Sequence, residues 1–200
     1  MKKILVATGN QHKTGEIRAI LGEGWLVEEL SNHPHLPSPM EDGATFSDNA
    51  TIKALAASRE LPGMLVLSDD SGLEADALNG APGVISARYA GAGATDADNR
   101  GRLKRELRAL VERGISGPFT ARFRCCMVLA QNGNTLGEFY GAVEGRLLLE
   151  EMGTGGFGYD SLFVPDGYAN TFGVLSAEIK NGLSHRARAL EKLVSYLNES

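Results

Sequence analysis

The sequence predicts an α/β protein on the basis of two patterns along the chain. Short apolar stretches of strand length alternate with stretches whose apolar residues recur at helical spacing. The turn sequence QNGN at 131–134 then separates two further strand-like stretches and predicts a β-hairpin. Strands that alternate with helices are typical of α/β folds, to which the hairpin adds an antiparallel pair.

Length and composition indicate one globular domain, which we place at residues 1–200. Hydrophobic residues make up 42% of the chain and charged residues 22%, both ordinary values for a soluble protein. A net charge of −5 argues against binding to nucleic-acid polymers, although a nucleotide substrate needs only a local group of cations. No apolar run approaches the ~18 residues of a membrane span, and the stretch MKKILVATGN is too short in its apolar part for a signal peptide.

Two adjacent cysteines, Cys125 and Cys126, predict neither a disulfide between elements nor a zinc site. We expect both to be reduced residues of a strand. Reduced cysteines and the lack of a recognisable membrane or export segment lead us to expect a cytoplasmic protein with no membrane partner.

A strand, a glycine turn and a helix follow one another near the N-terminus. Residues 3–8 predict the strand, and the helix is expected to begin at about Lys13. The free N–H groups and positive dipole end of such a helix favour an anion, and Thr8 and Asn10 add polar side chains. The stretch GNQHKT lacks the glycine that precedes the lysine of a P-loop, so it is either another phosphate turn or only a helix start.

The next three elements are a strand, a proline-containing loop and an alanine-rich helix, at residues 25–29, 31–44 and 45–59. The loop carries Glu41 and Asp42. Asn49 and Lys53 are four residues apart, so a helix presents them on one face. A lone lysine is most often solvated at the surface, and the local sequence leaves that interpretation of Lys53 open.

Residues 65–72, LVLSDDSG, combine an apolar run with two carboxylates and a glycine. Because Gly72 permits a sharp turn, we expect Asp69 and Asp70 at the end of a strand. Neighbouring carboxylates repel each other, which is tolerable chiefly when a cation lies between them. An exposed and solvated Asp-Asp turn is the alternative, and this stretch alone does not decide between the two.

A glycine-rich stretch at 153–158 fits the dinucleotide fingerprint GxGxxG, but its context excludes that function. The residues that follow predict a strand ending at Pro165, whereas the fingerprint requires a helix. A glycine loop still allows a ligand to approach the backbone closely, and Phe157 and Tyr159 are expected to supply aromatic surface.

Two further helices are predicted in the second half of the chain. The first is capped by Thr95 or Asp96, and the second is capped by Ser184. His185 and Arg186 fall in the first turn of the second helix, where the helix dipole disfavours a cation. They suggest an anionic or hydrogen-bonding partner, and two exposed polar residues are the alternative.

Five stretches, in order along nearly the whole chain, together resemble the inosine/xanthosine triphosphate pyrophosphatase family. They are TGNQHK at 8–13, EDGATFSDNATIKA at 41–54, SDDSGLEADAL at 68–78 with GAPGVISARYAG at 80–91, GTGGFGYD at 153–160 and KNGLSHRARAL at 180–190. The resemblance implies a long central mixed β-sheet flanked by helices, two lobes with the active-site cleft between them, and a homodimer. It also implies hydrolysis of the non-standard purine triphosphates ITP, dITP and XTP to the monophosphate and pyrophosphate, which removes them from the nucleotide pool.

The resemblance also implies roles for individual residues of this chain. Asp70 would be the catalytic base with Asp69 in support, and Glu41 and Asp70 would bind Mg²⁺. The implied substrate contacts are Thr8, Gly9, Asn10, Gln11, His12, Lys13, Lys53, Ser71, Arg88, Phe157, Gly158, Tyr159, Asp160, Lys180, His185 and Arg186. The segment 8–13 and Lys53 would hold the triphosphate, and residues 157–160 would flank the base and sugar.

Such a reaction sends hydroxide towards a tetra-anion, so neutralisation and positioning are the main demands on the protein. Hard Mg²⁺ prefers oxygen ligands, which suits carboxylates and phosphate oxygens. A nucleotide-binding sensor without hydrolysis is one alternative, but it would gain little from paired carboxylates. A Maf-like pyrophosphatase with other nucleotide substrates is another, against which the GGFGYD and SHR stretches argue.

Overall fold

Six strands and five α-helices are formed by residues 2–199, the part of the chain that the computed structural model describes. The strands are β1 (Lys2–Val6), β2 (Trp25–Glu29), β3 (Leu65–Ala75), β4 (Phe119–Gln131), β5 (Asn134–Leu147) and β6 (Phe163–Pro165). The helices are α1 (Gln11–Leu21), α2 (Phe46–Glu60), α3 (Asp96–Glu112), α4 (Ala177–Leu183) and α5 (His185–Glu199). None of these helices is both long enough and apolar enough to cross a membrane.

The strands form one mixed sheet in the order β2-β1-β3-β4-β5-β6. β1 is parallel to both β2 and β3, whereas β5 and β6 are antiparallel. Parallel neighbours need crossover connections, and α1 and α2 lie in the connections from β1 to β2 and from β2 to β3. The predicted α/β class, with a mixed central sheet and flanking helices, is therefore confirmed.

The predicted hairpin joins β4 and β5 through the two-residue turn Asn132-Gly133. Asn132 has φ +53° and Gly133 has φ +76°, the positive values that a tight hairpin turn requires at both central positions.

The helix starts follow the sequence closely. Asn10 caps α1 by accepting hydrogen bonds from the amides of His12 and Lys13, so this helix begins two residues before the predicted start. α2 and α3 begin with capping boxes, in which Thr45 pairs with Asp48 and Thr95 with Asp98. Thr95, and not Asp96, is thus the cap of α3.

The expected turn at Gly72 was wrong. β3 continues for 11 residues through Asp69, Asp70 and Gly72 to Ala75. Leu73 and Ala75 are fully buried, and their burial keeps the chain extended past the glycine. Glycine permits a turn, and it also occurs within strands where another part of the chain packs closely, so the local sequence did not decide between a turn and a continued strand.

The chain divides into two compact units, each made of several segments. Unit 1 comprises 2–70, 125–141 and 185–199, and unit 2 comprises 71–124 and 142–184. β3, β4 and β5 each contribute residues to both units. Our prediction of a single domain over 1–200 stays a prediction.

In unit 1, helices pack on both faces of the sheet. On one face, Ile4, Val6 and Leu67 join α1 and α5 in a buried cluster that includes Leu190 and Leu193. On the other face, the small residues of α2 pack on the alternate strand positions, in clusters that contain Ala50, Ala54, Ala57, Leu5, Val66, Cys126 and Val128. The two faces thus pack against different helices, so alternate side chains of β3 contact different helices.

Unit 2 has its own core, in which α3 packs on an aromatic cluster. Leu103 and Leu107 are its buried α3 residues. The ring centroids of Phe123 and Phe163 are 4.8 Å apart, and those of Phe163 and Phe172 are 5.5 Å apart. Such ring pairs add to the stability that their buried area supplies.

Candidate active site

Asp69 and Asp70 project from opposite faces of β3. Successive side chains of a strand alternate between faces. Asp69 contacts groups on α1 and α5, whereas Asp70 contacts α2, as does Ser68, whose hydroxyl donates to the carbonyl oxygen of Ala50. The two carboxylates are thus not the exposed, solvated turn of the alternative, since both are buried and each has a cationic partner; a cation between the two stays a prediction.

Asp70 is a buried carboxylate that the residues of α2 surround. Asn49 Nδ2 donates to Asp70 Oδ2 at 3.3 Å, and Lys53 Nζ donates to Asp70 Oδ1 at 3.4 Å. Asn49 and Lys53 thus share a helix face as predicted, and Lys53 is not the solvated lysine of the alternative, since its side chain is 11% exposed. Burial raises the pKa of the Asp70 carboxyl, and although Lys53 opposes this effect, the pKa stays above its ordinary value.

Lys53 joins the two predicted metal ligands. Its Nζ is 2.9 Å from Glu41 Oε2 and 3.4 Å from Asp70 Oδ1. Burial alone would lower the pKa of Lys53, but the Asp70 and Glu41 carboxylates outweigh burial and raise it. Because one cationic group already contacts both carboxylates, their oxygens converge on a shared region that suits a positive charge.

The residues present fit a magnesium ion of the kind that substrate phosphates help to bind. Glu41 and Asp70 supply hard carboxylate oxygens, and Mg²⁺ at nucleotide sites commonly takes one or two carboxylates and fills its other positions with water and phosphate oxygens. Residues 2–199 contain no group of three or more His, Cys, Asp or Glu side chains suited to a metal.

Asp69 is fully buried and neutralised by cations. Its carboxylate is 2.5 Å from Lys13 Nζ and 3.1 Å from Arg186 Nε, and Cys125 Sγ donates to it at 3.0 Å. Burial alone would raise the pKa of Asp69, but Arg186 and Lys13 outweigh burial and hold the pKa well below its usual value. A carboxylate this acidic is a poor proton acceptor, so Asp69 suits positioning better than base catalysis.

Arg186 connects Asp69 to a residue that the sequence reasoning missed. Its guanidinium is 1% exposed and also reaches Glu16 Oε2 at 2.5 Å. Glu16 lies three residues after Lys13 on α1, so helical spacing could have placed the two on one face. The alternative of exposed residues at the start of α5 was wrong, because both His185 and Arg186 are buried.

The predicted phosphate turn leads into α1. Asn10 N donates to Thr8 Oγ1 at 3.2 Å, and Asn10 Oδ1 accepts from the amides of His12 and Lys13. Two of the amides predicted to face a phosphate are therefore already hydrogen-bonded to the cap. Gly9, Gln11 and His12 are exposed around the same helix start.

In unit 2, the glycine-rich stretch forms a loop around Asp160. Asp160 Oδ2 accepts from the amide of Phe157 at 2.9 Å and from Lys180 Nζ at 2.5 Å. Lys180 Nζ also lies 4.7 Å from the centroid of the Phe157 ring. A strand follows this loop at β6, as predicted, and not the helix of a dinucleotide fingerprint.

The two aromatic side chains of this loop differ in exposure. Phe157 is partly exposed, whereas Tyr159 is buried and its hydroxyl donates to the carbonyl oxygen of Ser86 at 2.8 Å. The expected aromatic surface is thus supplied by Phe157, and that expectation was wrong for Tyr159, because the core of unit 2 encloses its ring. Ser71 is partly buried in β3, and Arg88 is exposed at the end of a 3-10 turn.

Comparison with known proteins gives the family. Residues 4–196 match the model of the Ham1 family. The chain belongs to the Ham1 family. It is 44% identical to a dITP/XTP pyrophosphatase of Desulforamulus reducens, over 98% of this chain and 96% of the relative.

Further matches agree over the full length. The chain is 43% identical to a dITP/XTP pyrophosphatase of Halalkalibacterium halodurans, over 99% of this chain and 100% of the relative. A solved HAM1 protein from Coxiella burnetii matches with a TM-score of 0.86 and 37% identity, and all of both chains is covered. The fold of the Ham1 family therefore extends across residues 2–199, the part of the chain that the structure describes.

Proposed function

We propose that this protein hydrolyses the non-standard purine triphosphates dITP, ITP and XTP to the nucleoside monophosphate and pyrophosphate. The observation that carries the proposal is the buried Asp70, held by Lys53 and Asn49 beside Glu41. Relatives that carry the name dITP/XTP pyrophosphatase and match over the full chain length support the substrate class.

Asp70 is the proposed base that takes a proton from the attacking water. A base is more effective when its pKa lies near the working pH, and burial raises the pKa of Asp70 in that direction. Asp69 is the less suitable of the pair, since Lys13 and Arg186 keep its carboxylate charged and occupied. This division of roles agrees with Asp70 as the catalytic residue and Asp69 as a supporting one.

Lys13 and Lys53 are proposed to neutralise the triphosphate. Each is paired with a buried carboxylate, Lys13 with Asp69 and Lys53 with Asp70, which fixes the position of its ammonium group. Fixed cations stabilise developing phosphate charge without reorganising during the reaction. Thr8, Gly9, Asn10, Gln11 and His12 remain proposed contacts at the start of α1.

Mg²⁺ is the proposed cofactor, with Glu41 and Asp70 as its protein ligands. When bound, the ion supplies Lewis acidity and charge neutralisation near the phosphates. The side chains then act around it: Asn49 holds one Asp70 oxygen through a hydrogen bond, and Lys53 holds both carboxylates close together.

Selectivity for the purine is proposed to depend on its C6 carbonyl. Hypoxanthine and xanthine accept a hydrogen bond at C6, where adenine carries a donor amino group. A fixed N–H donor at this position would face that amino group, and an unpaired buried donor costs about 1–3 kcal/mol. His185 and Arg186 remain proposed substrate contacts for this purpose.

Unit 2 supplies a second set of proposed substrate contacts. Phe157 offers a partly exposed ring suited to stacking on a purine, and stacking alone discriminates little between bases. Lys180 and Asp160 support this ring from within the unit. The remaining proposed contacts in this unit are Ser71, Arg88, Gly158 and Tyr159.

We also propose a cytoplasmic location and assembly as a homodimer. Cys125 and Cys126 are both free and buried, which suits a reducing compartment. Sedimentation equilibrium of the purified protein measures the assembly directly, and a monomer at micromolar concentration would contradict the proposed dimer.

The substrate proposal is tested with a panel of nucleotides at equal concentration in the presence of Mg²⁺. We expect dITP, ITP and XTP to be cleaved at least about tenfold faster than ATP, because one unmade buried hydrogen bond is of that order. Guanine shares the C6 carbonyl, so we expect GTP to be excluded through its 2-amino group. A second series with excess EDTA is expected to show almost no turnover. Equal rates on all five nucleotides would contradict the proposed selectivity.

A further inference from the structure

In unit 2, both backbone groups of Gly158 are held by side chains of α3. Gly158 N donates to Asp96 Oδ2 at 2.7 Å, and the carbonyl oxygen of Gly158 accepts from Arg100 Nη1 at 2.8 Å. Asp96 and Arg100 are four residues apart, so one face of the first turns of α3 supplies both contacts. A glycine with φ +59° is otherwise flexible, and these two hydrogen bonds fix its peptide groups.

Glu151 orients Arg100 from the other end of the same loop. Arg100 Nε is 2.8 Å from Glu151 Oε2, and Lys104 Nζ is 2.7 Å from Glu151 Oε1. The hydroxyl of Ser161 also donates to Glu151 Oε2, at 3.1 Å. Glu151 therefore ties the two ends of the loop 151–161 to each other and to α3.

Arg100 suits this position because its guanidinium offers several donors in one plane. Nε reaches the Glu151 carboxylate while Nη1 reaches the Gly158 carbonyl oxygen. Lysine places all its donors on one nitrogen, so it lacks the two separate nitrogen atoms that reach these partners. The contact thus depends on the shape of the side chain as well as on its charge.

The residue that these contacts position is Phe157. Its ring is the partly exposed aromatic surface of the loop, and its amide is held by Asp160. Gly158 is the next residue along the chain, so a shift of the Gly158 peptide moves Phe157 directly. Small displacements of a contact residue are sufficient to weaken binding of a substrate.

We propose that Asp96, Arg100 and Glu151 are positioning residues that fix Phe157 for contact with the purine base. The inference rests on the proposed function, because Phe157 is a substrate contact only if a purine nucleotide binds. Asp96, Arg100 and Glu151 do not contact the reacting phosphates in this role, so their effect reaches the substrate through the loop alone.

The test compares Arg100→Ala with Arg108→Ala in the full-length protein. Arg108 is on the same helix and pairs with the exposed Glu150, so it is a matched control for the loss of one arginine ion pair. For each protein, KM and kcat with dITP are measured, together with inhibition by inorganic tripolyphosphate, which has no base. Thermal unfolding shows that each variant is folded under the assay conditions.

We expect Arg100→Ala to raise KM for dITP about threefold to tenfold while kcat changes less than about twofold. Inhibition by tripolyphosphate should stay within about twofold of wild type, because this inhibitor does not use the aromatic ring. Arg100→Lys should fall between Arg100→Ala and wild type, and Glu151→Gln should raise KM in the same direction as Arg100→Ala. Arg108→Ala should match wild type.

Two results would overturn the inference while the proposed function stands. One is an unchanged KM for dITP in both Arg100→Ala and Glu151→Gln. The other is an equal weakening of dITP and tripolyphosphate, which would indicate general structural damage. Failure of the wild-type protein to cleave dITP would instead overturn the proposed function, and the inference with it.

Discussion

At the scale of single residues, the alternation of a strand gives two adjacent aspartates different surroundings. Asp69 lies against Lys13 and Arg186, which lower its pKa by outweighing burial, and Asp70 lies against α2, where burial raises its pKa. The resemblance to a family implies that Asp70 is the catalytic residue, and this stays a prediction. The different surroundings of the two aspartates could not be predicted, because they depend on which helices cover each face of β3.

Asp70→Asn is expected to lower kcat for dITP by about 10²–10⁴-fold, because the amide cannot accept the proton of water. The shape of the side chain is retained, so calorimetric titration should still detect binding of the nucleotide to the variant. Asp42→Asn, an exposed carboxylate in the neighbouring loop, is the control. A variant with nearly normal kcat would assign the base to another residue.

Arg186→Met is expected to destabilise the fold by about 3–5 kcal/mol, because it leaves the buried Asp69 with one cation fewer. Urea unfolding measures the change. Arg18→Met removes an exposed pair with Glu29 and should cost no more than about 1 kcal/mol. The double variant Asp69→Asn with Arg186→Met should lose less than the sum of the two single variants.

Equal losses of stability in Arg186→Met and Arg18→Met would contradict the stabilisation of Asp69 by its cations. Additive effects of Asp69→Asn and Arg186→Met in the double variant would contradict it as well. Both outcomes would mean that the buried contacts contribute little to the folded state.

The stability of the protein should fall in acid partly through Asp69. Its native pKa is well below the unfolded value of about 3.9, so its contribution is complete above that value and is lost as pH falls through the native pKa. The free energy of unfolding, measured from about pH 6 to about pH 3, should therefore decline less steeply in Asp69→Asn than in wild type. An identical slope in the two proteins would contradict the lowered pKa.

At the scale of elements, features that depend on neighbouring residues were predicted well, and features that depend on tertiary packing were not. The Asn132-Gly133 hairpin turn and the caps Asn10 and Thr45 were predictable, because each depends on a few neighbouring residues. The length of β3 was not predictable, because a glycine such as Gly72 is compatible both with a turn and with a buried strand. Burial of Leu73 by the core of unit 2 decided the outcome.

Gly141 sets how closely α5 approaches β5 in unit 1. A Cβ at this position would overlap the carbonyl oxygen of His185 and the amide of Ala189. We expect Gly141→Ala to destabilise the protein by about 1–3 kcal/mol, because both opposing groups are backbone and cannot turn away. Chemical denaturation measures this change.

Gly15→Ala is the matched control in the same unit. Gly15 is exposed in α1 with open space around its Cβ position, so alanine should stabilise the helix by about 0.5–1 kcal/mol. Equal effects at Gly141 and Gly15 would contradict the close approach of α5 to β5.

At the scale of the whole molecule, the lysines with a proposed function are paired with carboxylates although the chain as a whole is acidic. The net charge is −5, yet the lysines predicted to contact the substrate, Lys13, Lys53 and Lys180, each contact a carboxylate. The identity of these lysines was predictable by resemblance. Their partners were not, because Asp69 and Asp160 are brought to Lys13 and Lys180 by tertiary packing and not by sequence spacing.

The bond that the enzyme cleaves is the most direct test of the central claim. Purified protein is incubated with dITP and Mg²⁺, and the phosphorus products are identified by ³¹P NMR as they form. We predict dIMP and pyrophosphate in equal amounts, with no dIDP at any time. Release of orthophosphate with dIDP would contradict a pyrophosphohydrolase, whatever the rate.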